Sequence, residues 1–170
     1  MRIAPIPPGT RPELARIEAG IAAERGRVSP LYQVLLNSPP IAQGWEQLLT
    51  AVRNRSSLPA ELRELVILRV AVLNRAPYEF DAHVPHARTA GVSDEIIDAL
   101  RVEPLAARFT GRERSVLSLT DAMTRDIEVP AALFESVQAH FDAQAMIDLT
   151  VTISAYNMVS RFLVALQIGH

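Results

Sequence analysis

The sequence predicts an all-α protein. Apolar residues recur at helical spacing along most of the chain, helix-capping signals stand at the joints, and strand-type alternation is sustained nowhere. The opening "APIPPGTRP" is proline-rich, so residues 1–12 are expected to form an extended arm, with residues 13–170 as a single all-α domain. "ELARIEAGIAAERGR" has helical spacing and ends at Gly26. "SPLYQVLLNSPPIAQGWEQLLTAVRNR" reads as a short helix, a Ser-Pro-Pro break and an amphipathic helix from about Ile41. Trp45, Leu48, Leu49 and Val52 are expected on the inner face of that second helix. In "SSLPAELRELVILRVAVLNR", Pro59 suits a first turn and Glu61 and Glu64 lie near the positive end of the helix dipole. Leu65 to Leu73 are apolar nearly all round, Arg69 excepted, which predicts a helix buried on most sides.

The next segment, "PYEFDAHVPHARTAG", predicts a helix from about Tyr78 to Gly91, with Pro85 straining or kinking it. Ser93 caps a short helix, and Thr110 with Glu113 forms a capping box for the one after it. A further helix starts at Pro130. "DAQAMIDLTVTISAYNMVSRFLVALQIG" closes the chain as one long helix; Val, Ile and Thr crowd "LTVTISAY", but its length and apolar continuation argue against a strand.

Composition narrows the function. A chain of 170 residues can bury a proper core. A formal net charge of −2 supplies no general attraction to nucleic acid or anionic membranes, so neither is expected as a partner. There is no cysteine, hence no disulfide, no thiolate metal site and no thiol redox chemistry. "MRIAPIPPGT" has no apolar h-region, and Arg69, Asp148 and Arg161 cut the apolar runs short of ~20 uncharged residues, so neither a secretory signal nor a membrane span is expected and the cytoplasm is the default compartment.

Chemistry concentrates at "APYEFDAH". On a helix, Glu79, His83 and His86 share one face. A carboxylate beside an imidazole fixes its tautomer and favours its protonated form, which suits proton transfer near neutral pH. Glu64, an acid on an almost wholly apolar helix, needs a partner or stays protonated. Other readings stay open: a solvated helix-face pair, or a zinc-binding Glu/His/His stripe, which Pro85 disfavours. Arg69 suits a structural ion pair better than catalysis. Tyr156 and Asn157 are either satisfied core polar groups or pocket lining. His140 and His170 lack acidic neighbours at useful spacing and read as surface residues.

These motifs carry a resemblance. Glu64, "ILRVAVLN", Tyr78-Glu79-Phe80, His83 and "ARTAG", flanked by "RIAPIPP", "SLPAELRE", "FTGRERSVLSLTDAM" and "YNMVSRFLVAL", resemble the carboxymuconolactone decarboxylase family, which also contains the alkylhydroperoxidase-D-like proteins. The resemblance covers nearly the whole chain. It implies an all-α fold around an antiparallel helical hairpin, assembled as trimers or hexamers. Peroxidase-type members carry a C-x-x-C pair whose positions fall on Ala76 and Glu79 here; Glu64 and His83 match the glutamate and histidine of their proton relay. Decarboxylase-type members carry an acid-aromatic-x-x-histidine block, matched by Glu79-Phe80 and His83. The chain departs from the longer members at Pro77, often an acid, and at Phe80, often a tryptophan.

The resemblance therefore implies a cofactor-free acid–base enzyme acting on a small carboxylated cyclic acid or lactone. His83 is the expected acid, Glu79 the group that orients it and Glu64 an auxiliary carboxylate. Arg69, Tyr78, His86 and Tyr156 are the expected substrate-binding residues, and no metal is expected. The rival reading is a non-catalytic ligand-binding or assembly protein on the same scaffold.

Overall fold

The computed structural model describes residues 1–105 and 108–169, so His170 lies outside the described residues. The protein is all-helical, and no strand occurs among the described residues. Among the described residues nine α-helices follow in order: α1 Ala15–Arg25, α2 Pro30–Leu35, α3 Pro39–Thr50, α4 Ala60–Leu73, α5 Pro77–Thr89, α6 Asp94–Ala99, α7 Gly111–Arg125, α8 Ala131–Gln138 and α9 Ala143–Leu166. They fall into two compact units, Met1–Arg55 with Ala165–His170, and Ser56–Val164.

In the first unit, residues 1–11 form no helix and are tied by single contacts. Ile6 is buried and its N–H donates to the Gln33 carbonyl, while the Asn37 amide donates to the Ala4 carbonyl. A 3₁₀ turn, Pro12–Leu14, leads into α1, which Gly26 ends in the left-handed conformation expected of a C-terminal glycine. Prolines open α2 and α3. Trp45, Leu49 and Val52 are buried as expected, but Leu48 is 41% exposed. Ala42 and Glu46 are buried with Trp45 and Leu49, which centres the inner stripe away from Leu48 at 100° per residue. Arg25 of α1 pairs with Glu46 of α3, which also accepts from Thr50.

The second unit is built on α4 and α5. All eight residues from Glu64 to Ala71 are buried, including two of opposite charge. Three residues turn the chain into α5. Ala76 N–H returns to the Ala71 carbonyl, and Arg75 takes the positive φ, 53°, that glycine usually supplies at this place. Pro85 sits inside α5 without interrupting it; its ring costs one helical donor. Gly91 ends the hairpin at φ 91°, Ser93 caps α6, and the Thr110–Glu113 capping box opens α7.

By length and composition α9 could cross a membrane, which the reading from uncharged run lengths did not anticipate. Half of its most apolar window is nevertheless buried within the protein, and its buried side includes Thr152, Asn157 and Ser160. Asn157 cross-links the unit: it accepts from Asn74 and Arg161 and donates to Thr124 and the Ile153 carbonyl.

Arg69 is one of the largest fully buried side chains among the described residues. Its guanidinium grips Asp121 of α7 with two bonds, 2.7 and 2.5 Å, reaches the Leu100 carbonyl at 2.7 Å and touches Glu103 at 3.3 Å. Losing Arg69 forfeits the bidentate grip on Asp121 and the bond to the Leu100 carbonyl, while Asp121 keeps partial solvent and Arg125 at 3.9 Å. Arg69→Met should therefore lower the unfolding free energy by on the order of 2–3 kcal/mol. A urea-denaturation loss below ~1 kcal/mol, the range of an exposed ion pair, would show that the arginine is not what ties α4 to α7.

Candidate functional site

Three helices of the second unit meet around His83. Glu64 comes from α4, Glu79 and His83 from α5, and Tyr156 and Ser160 from α9. The α5–α9 contacts at the site involve residues one helical turn apart: Glu79 meets Ser160, and His83 meets Tyr156. Rising numbers on α5 meet falling numbers on α9, so the two helices run antiparallel here, and spacing four apart places each pair on one face.

His83 is buried, and its Nδ1 lies 2.7 Å from Glu64 Oε2. A carboxylate only accepts, so an ionised Glu64 fixes the proton on Nδ1 and aligns the ring. Arg63 Nε stands 3.5 Å from the other Glu64 oxygen and favours that ionised form. Tyr156 packs edge-on against the imidazole, with centroids 5.1 Å apart and planes at 87°. The His86 ring lies 5.5 Å from that of His83 and is exposed, so it marks the solvent side of the cluster.

The expected pairing of Glu79 with His83 is replaced. The carboxylate bonded to the imidazole is Glu64, across the hairpin, while Glu79 accepts from Ser160 Oγ. Glu79 is 2% exposed, and its Oε1 has no hydrogen-bond partner among the described residues. Burial pushes its carboxyl up from 4.5 to about 8, against a smaller opposing effect of the Ser160 hydrogen bond. The two acids of this site therefore differ by environment: Glu64 has an arginine and an imidazole beside it, while burial favours the protonated form of Glu79.

Other expected site residues are placed less closely. Tyr78 is half-buried on α5. Arg69 stands five residues from Glu64, about 140° around α4, and lines a separate cavity of about 360 Å³ with Glu103, Arg114, Ser118 and Asp121. Its guanidinium serves Asp121, Glu103 and the Leu100 carbonyl. Asn157 is a satisfied core polar group. His140 is exposed. No cluster of three or more His, Asp or Glu side chains suited to a metal occurs among the described residues, so Glu79, His83 and His86 do not converge as a ligand set. Ser160 was missed in the sequence; the only signal was a small polar residue four places after Tyr156 on an apolar helix.

Residues 39–122 match the Carboxymuconolactone decarboxylase family. That match runs from the start of α3 into α7. The matched segment holds Glu64, Glu79 and His83, while Tyr156 and Ser160 lie beyond it. The chain is 27% identical over 114 residues to the uncharacterised YdfG of Bacillus subtilis (strain 168), covering 66% of this chain and 78% of the relative. It is also similar to the structure of a protein of unknown function from Agrobacterium tumefaciens, a candidate AhpD antioxidant defence protein. There the TM-score is 0.74 at 28% identity, with 79% of this chain and 93% of the other covered. The debrominase Bmp8 in complex with 2,3,4-tribromopyrrole shares the fold: TM-score 0.82 at 15% identity, over 99% of this chain and 90% of that one.

Glu79 makes stability depend on pH in a known direction. Its folded-state value lies above its ordinary one, so between about 4.5 and about 8 the folded protein keeps a proton that the unfolded chain has released. Stability from this group is complete below about 4.5, declines as pH rises to about 8 and changes no further above that. The decline is on the order of a few kcal/mol. Glu79→Gln should remove it, so the wild-type-minus-variant difference in unfolding free energy should slope downward across this window. A flat difference would mean that Glu79 ionises normally in the folded protein.

Proposed function

We propose that this chain is an acid–base enzyme of the carboxymuconolactone decarboxylase type that decarboxylates or isomerises a small cyclic carboxylic acid or lactone, with no cofactor. One observation carries the reading: a histidine bonded to a charge-partnered glutamate shares a buried cluster with a second glutamate that burial keeps neutral. Surface helix-face pairs are solvated and have no reason to be arranged in this way. A carboxyl raised by burial, close to a carboxylate that holds an imidazole, suits acid and base roles at one pH.

In such a reaction, loss of carbon dioxide leaves an electron pair on carbon, delocalised as a dienolate. The protein then stabilises the charge and supplies a proton. His83, held through Nδ1 by Glu64, gives the proton from Nε2 to that carbon and regains one from solvent. Glu64 takes the orienting role, and Glu79 is the neutral acid beside the developing charge. His86 is exposed beside the imidazole, on the side open to a substrate, and Tyr156 backs the imidazole.

The second reading is a ligand-binding or assembly protein on the same scaffold. It is favoured by Ala76 and Glu79, which stand where peroxidase-type members carry cysteines. A screen of small cyclic carboxylic acids and lactones for carbon dioxide release or isomerisation separates the two.

On a substrate so found, His83→Ala should lower kcat by about 10²–10⁴-fold, the usual contribution of general acid–base catalysis, with the far-UV circular dichroism unchanged. A folded His83→Ala protein with full activity would end the catalytic reading. A thiolate is the peroxide-reducing nucleophile of the dithiol-linked peroxidases, and the chain has no cysteine. Metal-free protein should therefore show no turnover of an organic hydroperoxide with a dithiol reductant, and measured turnover would overturn that expectation.

A further inference from the structure

The two carboxyl oxygens of Glu79 are not equivalent. Oε2 accepts from Ser160 Oγ, and Oε1 is buried with no hydrogen-bond partner among the described residues. A protonated carboxyl has one carbonyl oxygen, which accepts, and one hydroxyl, which donates. A serine hydroxyl that donates to Oε2 selects it as the carbonyl and leaves the proton on Oε1. Ser160 is wholly buried on α9, and α9 is further held by the Asn157 bonds to Asn74 and Thr124, so the donor is fixed in place.

We propose that Ser160 is a positioning residue that fixes the proton of Glu79 on Oε1, so that Oε1 presents an O–H donor to an acceptor oxygen of the substrate. The proposal rests on the acid–base reading above and deepens it by naming what the site recognises: a carbonyl, lactone or enolate oxygen. A buried donor without a partner is costly, and an acceptor oxygen that develops negative charge is the group that satisfies it best. The proton stays on Glu79 throughout; the one delivered to carbon comes from His83. The titratable groups brought to the cluster by the elements around Glu79 include Glu64 and Arg63 from α4, His83 and His86 from α5 and Tyr156 from α9. His83 Nδ1 is engaged by Glu64.

The test reads Glu79 directly and needs no turnover. In protein carrying ¹³C-labelled glutamate, the Glu79 carboxyl signal, assigned by its loss in Glu79→Gln, is titrated by NMR in the wild type and in Ser160→Ala. The infrared carbonyl band of the protonated acid is followed at pH 6. The wild type should titrate near 8. Ser160→Ala should titrate higher, by about half a unit or more, because the donor to the ionised form is gone. Its acid band should move to higher wavenumber, because the carbonyl oxygen has lost its hydrogen bond. A midpoint or a band left in place by Ser160→Ala overturns the positioning role, as does a wild-type Glu79 that titrates near 4.5. Adding γ-butyrolactone, a bare acceptor-oxygen probe, should broaden or shift the Glu79 acid band; absence of binding, or binding that leaves the band in place, overturns the acceptor-oxygen assignment. These results stand apart from the His83→Ala assay, so failure of the acid–base reading and failure of this one are told apart.

Discussion

Helix α4 is buried nearly all round, yet it carries an acid and a base. Neither Glu64 nor Arg69 can remain unpaired in an apolar interior, because an isolated buried charge costs far more than a helix can recover from packing. The two side chains point about 140° apart, so one helix needs charged or polar partners on two sides. α7 meets the first demand with Asp121, and the loop after α6 adds the Leu100 carbonyl and Glu103. α5 meets the second with His83. Much of the second unit's arrangement can be read as the answer to these two charges.

The two pairings serve different ends. Arg69 holds its partners bidentately and through a backbone carbonyl, which spends the guanidinium on geometry and leaves it little capacity to hold a substrate carboxylate. Glu64 takes an imidazole as its partner, and an imidazole has a second nitrogen and titrates in the physiological range. A structural requirement is met by a group that can also do chemistry. α9 completes the cluster with Tyr156 and Ser160, from outside the segment that matches the family.

How far the sequence foretold this follows the range of the interaction concerned. Helix ends were legible because proline, glycine and capping residues act within a few positions: Gly26, Ser93 and the Thr110–Glu113 box all sit where expected. The burial of α4 was legible because it is apolar all round. The importance of Glu64, Glu79 and His83 to a common cluster was legible, but the pairing among them was not. Spacing of four made Glu79 the obvious partner of His83, whereas the hairpin turn at Asn74, Arg75 and Ala76 sets a register that brings Glu64, nineteen residues away, to the ring. Ser160 and Asp121 were invisible for the same reason: each acts through the register of one helix against another, to which a helical period is blind. Leu48 failed on a smaller scale, since a few tens of degrees around α3 separate its inner stripe from solvent.

By the sequence resemblance, Glu79 falls on one of the two positions where peroxidase-type members of the family carry cysteine, and the chemistry of such an exchange is instructive. A thiol there works by becoming a nucleophilic anion, so its surroundings must favour ionisation. The surroundings of Glu79 do the reverse. It is almost wholly buried, a neutral hydroxyl is its hydrogen-bonding neighbour, and the charged pair of the cluster is completed by other residues. The position therefore favours an un-ionised carboxyl, where a thiol-based site needs an ionised sulfur. A neutral acid can stabilise an oxygen that gains charge without itself gaining or losing electrons, and it can do so beside a histidine that handles the proton. Keeping the helical framework while reversing the electrostatic demand at that one position is a route by which one scaffold could leave redox chemistry for acid–base chemistry. It also explains why Ser160 belongs to the argument: once the group is a carboxylic acid, something must decide which of its two oxygens bears the proton.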